Sequence, residues 1–244
     1  MKKLLFTIIV GSLISMNVVK ADSSSAPEEV TLTLPKKLLE LKVTSQQQLG
    51  TRDNDLGLPI GEKVPTFKIK TYDGQPITLD ELMTNAPLMV IFYRGGWCPF
   101  CNFQIRELSQ AYPDFQNQGV GLVLISVDEV QGAALIQKRY EIPFPVLSDP
   151  DLVAHEAIKV TLQIDSPTFK RYKNEYGIDL EAWSQQQHHK IGIPAIFLID
   201  KTSTIQWAHL ALDYTVRPSP EQLLKVIANW KPGMDNKEKS KKEP

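Results

Sequence analysis

The chain has 244 residues, 42% of them hydrophobic, and 27 basic against 28 acidic side chains give a formal net charge of −1. That is length and apolar content enough to bury a full core without a disulfide staple, and too even a charge balance for a nucleic-acid-binding surface. With only two cysteines, stapling is excluded as their purpose unless they pair with each other.

Lys2 and Lys3 precede an apolar stretch from Leu4 to about Val19, and Val19-Lys20-Ala21 puts small residues where a signal peptidase reads, the pattern of a Sec signal peptide over residues 1–21. The stretch is short and interrupted by Gly11, Ser12, Ser15 and Asn17, so export to the periplasm is expected, with no stable membrane insertion after cleavage. Loss of Lys2, Lys3 and Lys20 would leave 24 basic against 28 acidic residues. Residues 22–59 read as a polar, weakly packing N-terminal extension with one helix-compatible patch, Lys36 to Gln48. Residues 232–244 read as a solvated, disordered charged tail.

Between these ends, residues 60–231 form one layered α/β domain. Leu88 to Tyr93, Val120 to Val127 and Ala195 to Asp200 are continuous apolar runs bounded by turn residues, as expected of strands covered on both faces. Asn102 to Gln118, Gly132 to Tyr140 and Asp151 to Ile158 have helical composition. Thr204 to Leu212 follows Lys201-Thr202-Ser203 as a hairpin partner of the preceding strand, and Ser219-Pro220-Glu221-Gln222 opens a last helix with a capping box. The segment 160–190, rich in tyrosine and glutamine, interrupts this order. It is expected to be an insertion, helical around Pro167 to Tyr176, serving as a lid or as a partner-docking surface.

Both cysteines stand in FYRGGWCPFC, residues 92–101, as one Cys-x-x-Cys. A disulfide across so small a loop constrains little of the unfolded chain, so the spacing argues for chemistry. Cys101, Ile105, Leu108, Tyr112 and Phe115 recur at helical spacing, which turns Cys101 to the core and puts Cys98 at the strand-to-helix tip, with Pro99 at the first helical position. Pro113 is expected to kink or break this helix near Tyr112. A thiol at a helix N-terminus faces unpaired N–H groups and the positive end of the dipole, so Cys98 is expected to be the exposed nucleophile and Cys101 the buried thiol that attacks any adduct on it. Arg94 either adds positive charge beside the thiolate or makes a surface ion pair. Gly95 and Gly96 either admit a close partner or shape the turn. A zinc site would need two more ligands, and His155, His188, His189 and His209 have no finger spacing. Two thiolates with a histidine would suit copper(I), which keeps a copper-handling protein as a third reading.

WCPFC followed about ninety residues later by IGIPAIFLID resembles the thioredoxin superfamily, and the resemblance implies a cis-proline at Pro194 against the cysteine pair. With VPTFKI, GQPITLDEL, GLVLISVD, FPVLSD and IQWAHLALDYTVRP, the chain resembles the peroxiredoxin-like branch of the alkyl hydroperoxide reductase/thiol-specific antioxidant (AhpC/TSA) family over nearly all of residues 60–230. The resemblance implies a thioredoxin-like α/β fold with a central mixed sheet flanked by helices, Cys98 as peroxidatic and Cys101 as resolving cysteine. It also draws attention to Arg217 in DYTVRP, which reads equally as an arginine flanking the last helix, and Trp97 stands beside the cysteine pair. The chain departs from the family where a threonine or serine stands three residues before the peroxidatic cysteine and a proline seven before, for Gly95 and Ile91 occupy those positions.

The expected function is reduction of hydroperoxides by a Cys98/Cys101 couple recycled by a thioredoxin-like dithiol, with no metal or organic cofactor. The alternative is an exported thiol-disulfide oxidoreductase whose partner is a protein disulfide. Neither reading involves nucleic acid.

Overall fold

The computed structural model describes residues 55–83, 86–210 and 213–230. The signal segment 1–21, most of the extension 22–59 and the tail 232–244 lie outside the described residues.

Strands β1 (Lys68–Thr71), β2 (Pro76–Thr78), β3 (Leu88–Phe92), β4 (Gly121–Ser126), β5 (Val146–Ser148), β8 (Ala195–Ile199) and β9 (Ile205–Leu210) form one mixed sheet in the order β2-β1-β5-β4-β3-β8-β9. In its middle β3 pairs in parallel with β4 and antiparallel with β8, with Phe92 opposite Ile125 and Ala195. All five residues of β3 and all five of β8 are buried, because helices and loops cover both faces. β1, β2 and β5 went unassigned from sequence because they are only three or four residues long and carry no continuous apolar run.

The sheet splits its side chains by strand alternation into two cores. Met89, Ile91, Leu122, Leu124, Ile196 and Leu198 face a layer of three helices. These are α2 (Pro99–Asn117), α3 (Val130–Arg139) and α7 (Pro220–Trp230). Cys101, Ile105, Leu108 and Phe115 are the buried stripe of α2, at the spacing expected. Leu88, Val90, Phe92, Val123, Ile125 and Phe197 face the other way, against Leu79 of α1 (Leu79–Leu82) and Ala154 and Ile158 of α4 (Val153–Ile158). Leu58 belongs to this second core and Leu56 packs against it, so the packed chain reaches back beyond position 60.

Of the kink or break expected near Tyr112, the break does not occur, for helix α2 runs from Pro99 through Pro113 to Asn117. Phe115, beyond the proline, is fully buried in the same core as Leu108, and that burial holds the last turns in line. The last helix opens as expected, with Gln222 N–H donating to Ser219 Oγ at 3.3 Å and Ser219 N–H to Gln222 Oε1 at 2.9 Å.

The 160–190 segment folds as a unit. β6 (Thr161–Gln163) and β7 (Lys190–Gly192) make a separate two-stranded sheet, and between them lie α5 (Ser166–Glu175) and α6 (Leu180–Ser184). Asp165 caps α5 through Thr168 N–H at 2.7 Å, and Asp179 caps α6 through Glu181 N–H at 3.1 Å. Ile164, Leu180 and Ile191 form a small core that packs on Phe169, Tyr172 and Trp97.

Candidate active site

The chain leaves β3 at Phe92 and reaches α2 through Tyr93-Arg94-Gly95-Gly96-Trp97-Cys98, with Cys98 as the N-cap. Both peptide groups of Gly96 are tied down: its N–H donates to Asp128 Oδ2 at 2.7 Å, and its carbonyl accepts from Asn102 Nδ2 at 2.8 Å. Gly95 has φ +145°, and a Cβ there would lie 2.4 Å from Trp97 Nε1; one on Gly96 would lie 2.6 Å from Ile136. The glycines therefore admit the protein's own side chains rather than a partner.

Neither cysteine is exposed: Cys98 is 0% and Cys101 1% accessible, and they are not joined. Burial of Cys101 is as expected. The exposed tip expected for Cys98 is corrected, because Arg94 lies against its sulfur and is itself held there by Trp97 of the same turn and Tyr172 of α5. Arg94 Nη1 lies 4.0 Å from Cys98 Sγ, and Arg217 Nη2 lies 3.5 Å from Cys101 Sγ. A surface ion pair for Arg94 is thereby excluded, since it is 7% exposed and no carboxylate among the described residues pairs with it.

Two arginines at two sulfurs separate the thiols electrically. Burial pushes the Cys98 thiol up, but the Cys101 thiol, Arg217, Arg94 and the Cys101 N–H together outweigh it and bring Cys98 down to about 6. Burial and the neighbouring Cys98 charge raise Cys101 well above the ordinary range. Near neutral pH the site therefore holds one thiolate and one thiol, a step apart on the same helical turn.

Pro99 takes the first helical position as expected. Pro194 borders a cavity of about 240 Å³ together with Arg94 and Tyr172. The expected cis bond is corrected: no cis peptide occurs among the described residues. Ile193 N–H donates to Val160 O at 2.8 Å, carrying the β6–β7 ladder straight into β8, and trans is the lower isomer for X–Pro by roughly 0.5–1 kcal/mol.

The structure adds residues that sequence reasoning missed. Asp128 lies fully buried beneath the Gly95-Gly96 turn, accepting from Ser126 Oγ at 2.9 Å. Burial raises its carboxyl to about 6, partly offset by the Gly96 N–H and Ser126 hydroxyl. An acid two residues beyond an apolar strand, ISVD, was the signal available. Tyr172 and Tyr214 come from distant segments, and both rings face the Arg94 guanidinium, at 5.8 and 4.1 Å from their centroids.

The four histidines are engaged elsewhere. His155 Nδ1 lies 2.7 Å from Asp149, His188 Nε2 2.9 Å from Pro150 O and His189 Nε2 2.7 Å from Glu181, while His209 stacks on Trp207. Among the described residues no three His, Cys, Asp or Glu side chains gather as a metal site.

The profile of the AhpC/TSA family matches residues 60–208. A peroxiredoxin of Thermoplasma volcanium is 25% identical over 196 residues, covering 72% of this chain and 83% of that protein. The chloroplastic peroxiredoxin Q of Sedum lineare is 32% identical over 36% of this chain, which spans about half of that relative, 47%. The thiol-disulfide oxidoreductase ResA of Bacillus cereus is 27% identical over 93 residues, 38% of this chain and 53% of that one. Among solved structures, the peroxidoxin BcpB of Mycobacterium tuberculosis superposes with a TM-score of 0.55 at 16% identity, over 72% of this chain and 96% of that one, which supports the fold. With the family profile spanning the sheet, the cysteine turn and α2, the chain belongs to the AhpC/TSA family and is a peroxiredoxin-like member of the thioredoxin superfamily.

Proposed function

We propose that the chain is a thiol peroxidase. The Cys98 thiolate attacks a hydroperoxide and becomes a sulfenic acid, which condenses with Cys101 to a disulfide; an external thioredoxin-like dithiol restores both thiols. The observation that carries this reading is the division of the pair, with Cys98 at the N-terminus of α2 facing Arg94 at 4.0 Å and Cys101 three residues on in the buried stripe of the helix, 3.5 Å from Arg217. No metal or organic cofactor has a part in it.

The test is stopped-flow fluorescence of the reduced protein mixed with hydrogen peroxide, with Cys98→Ser as control. Trp97, packed on the Arg94 guanidinium at 4.8 Å, reports the change of charge at the sulfur. A fast change absent from Cys98→Ser is expected. A wild-type rate no better than that of free cysteine would sink the reading.

The ResA relative favours a second reading, in which Cys98 attacks a protein disulfide and the mixed disulfide sits in the cavity beside Pro194. Insulin reduction faster than peroxide consumption would select it. We also propose that the activity is periplasmic, from the signal-like segment 1–21. Mass spectrometry of the expressed protein should find a chain starting after Ala21 in the periplasmic fraction.

A further inference from the structure

Arg94 is a buried cation with an unusual set of partners. Its Nη1 faces the Cys98 sulfur, its Nη2 donates to the Tyr172 hydroxyl, and the rings of Trp97, Tyr172 and Tyr214 surround it. A buried guanidinium without a counter-charge is costly. The charge it answers here is the Cys98 thiolate. On its other side Arg94 borders the cavity of about 240 Å³, whose wall also includes Tyr172, Tyr214, Ile193 and Pro194. One guanidinium thus touches both the nucleophile and a space large enough for a small organic molecule.

Tyr172 completes the arrangement. Its oxygen accepts the hydrogen bond from Arg94, which leaves its own O–H proton free to donate, and no other partner for that hydroxyl occurs among the described residues. Breaking an O–O bond puts negative charge on the leaving oxygen, so the reaction needs a donor aimed at that oxygen. No hydroxyl can come from position 95, where φ is +145° and a Cβ would collide with Trp97 Nε1 at 2.4 Å.

We propose that Tyr172, brought in by the 160–190 insertion, is the catalytic acid of the peroxidase step, acting with Arg94 on a hydroperoxide that enters through this cavity. The proposal rests on the peroxidase reading. The Cys98 thiolate attacks the terminal oxygen; the S–O bond forms as the O–O bond breaks, the sulfur is oxidised by two electrons and the peroxide reduced by two. The products are the Cys98 sulfenic acid and an alkoxide or hydroxide. Tyr172 passes its proton to that leaving oxygen, which departs as alcohol or water, and the phenolate, held by Arg94, recovers a proton from water in the cavity. Because an alkoxide is a far stronger base than a phenolate, the transfer runs downhill. Condensation of the sulfenic acid with the Cys101 thiol then releases water.

The decisive comparison is between peroxide and an alkylating agent that needs no acid. Iodoacetamide expels iodide, which leaves without a proton, so it reads the thiolate and its accessibility alone. Tyr172→Phe keeps the ring and its packing. It should slow Cys98 oxidation by hydrogen peroxide and by tert-butyl hydroperoxide about 100-fold, within the range for lost general acids, with the iodoacetamide rate and its pH midpoint unchanged. Equal losses in both reactions would overturn the acid role in favour of an effect on the thiolate, and an unchanged peroxide rate would overturn it outright. A wild-type protein no faster than free cysteine would remove the peroxidase reading and this proposal with it, whereas a fast wild type matched by Tyr172→Phe would remove only the role of Tyr172.

Discussion

The cysteine pair lies between two regions built on different principles. Below it, β3, β4, β8 and α2 are joined by continuous apolar packing in which Ile91, Leu124, Ile105 and Leu108 are all but inaccessible. Above it, the 160–190 segment buries only Val160, Ile164, Leu180 and Ser184 and is otherwise held by aromatic contacts and solvent-facing pairs such as Lys173–Asp179 at 2.8 Å and Lys190–Glu156 at 3.2 Å. Exposed pairs of that kind stabilise little. The lower region fixes where the sulfur is, and on the proposed function the upper one governs what reaches it. Because Cys98 has no exposed surface in this arrangement, a peroxide that enters by the cavity needs a local opening between the cavity and the sulfur, and the weaker region is where such openings are least costly.

That contrast can be broken by substitution. Ile105→Ala, in the lower core, should cost about 3 kcal/mol of global stability in urea unfolding. Asp128→Asn probes the one electrostatic liability of the same region. A carboxyl raised to about 6 by burial favours the fold fully only below its unfolded value, and that contribution, up to roughly 3 kcal/mol, is lost as pH rises to about 6. The stability of Asp128→Asn relative to wild type should therefore grow between pH 4.5 and 7.5, and a constant difference would show that the carboxyl is not perturbed. Leu180→Ala should cost about 2 kcal/mol, the low end for such a change because its core is small, and show itself as faster amide exchange over residues 160–192, with β3 and β4 protected as before. A loss of protection spread evenly over both regions would abolish the distinction. The smallest effect concerns the sulfur itself. Cys98 alkylation should fall as pH drops through about 6, and Arg217→Gln should move that midpoint upward by on the order of one pH unit.

The lower region was legible in the sequence for a physical reason: strands buried on both faces leave continuous runs such as LMVIF and AIFLI, and α2 leaves the Cys101, Ile105, Leu108, Phe115 spacing. The Ser219–Gln222 capping box and the helix around Pro167 to Tyr176 were legible because caps and breakers act locally. The cover over Cys98 was not. Arg94 and Tyr172 are 78 residues apart, and nothing in local composition says that a polar, tyrosine-bearing helix folds back onto a cysteine turn. For the same reason the exposure of Cys98 was misjudged although its place at the helix N-terminus was anticipated. The Ile193–Pro194 isomer depends on how β6 and β7 meet, which is equally non-local.

The 78-residue separation of Arg94 and Tyr172 also orders events during folding. Cys98, Cys101 and the first turns of α2 assemble from one short stretch, whereas the cover needs a long loop to close, and contacts of that kind form late. A refolding chain therefore has both thiols in place before Tyr172 reaches Arg94. For a time the pair stands uncovered, open to any oxidant or disulfide that the finished protein would screen.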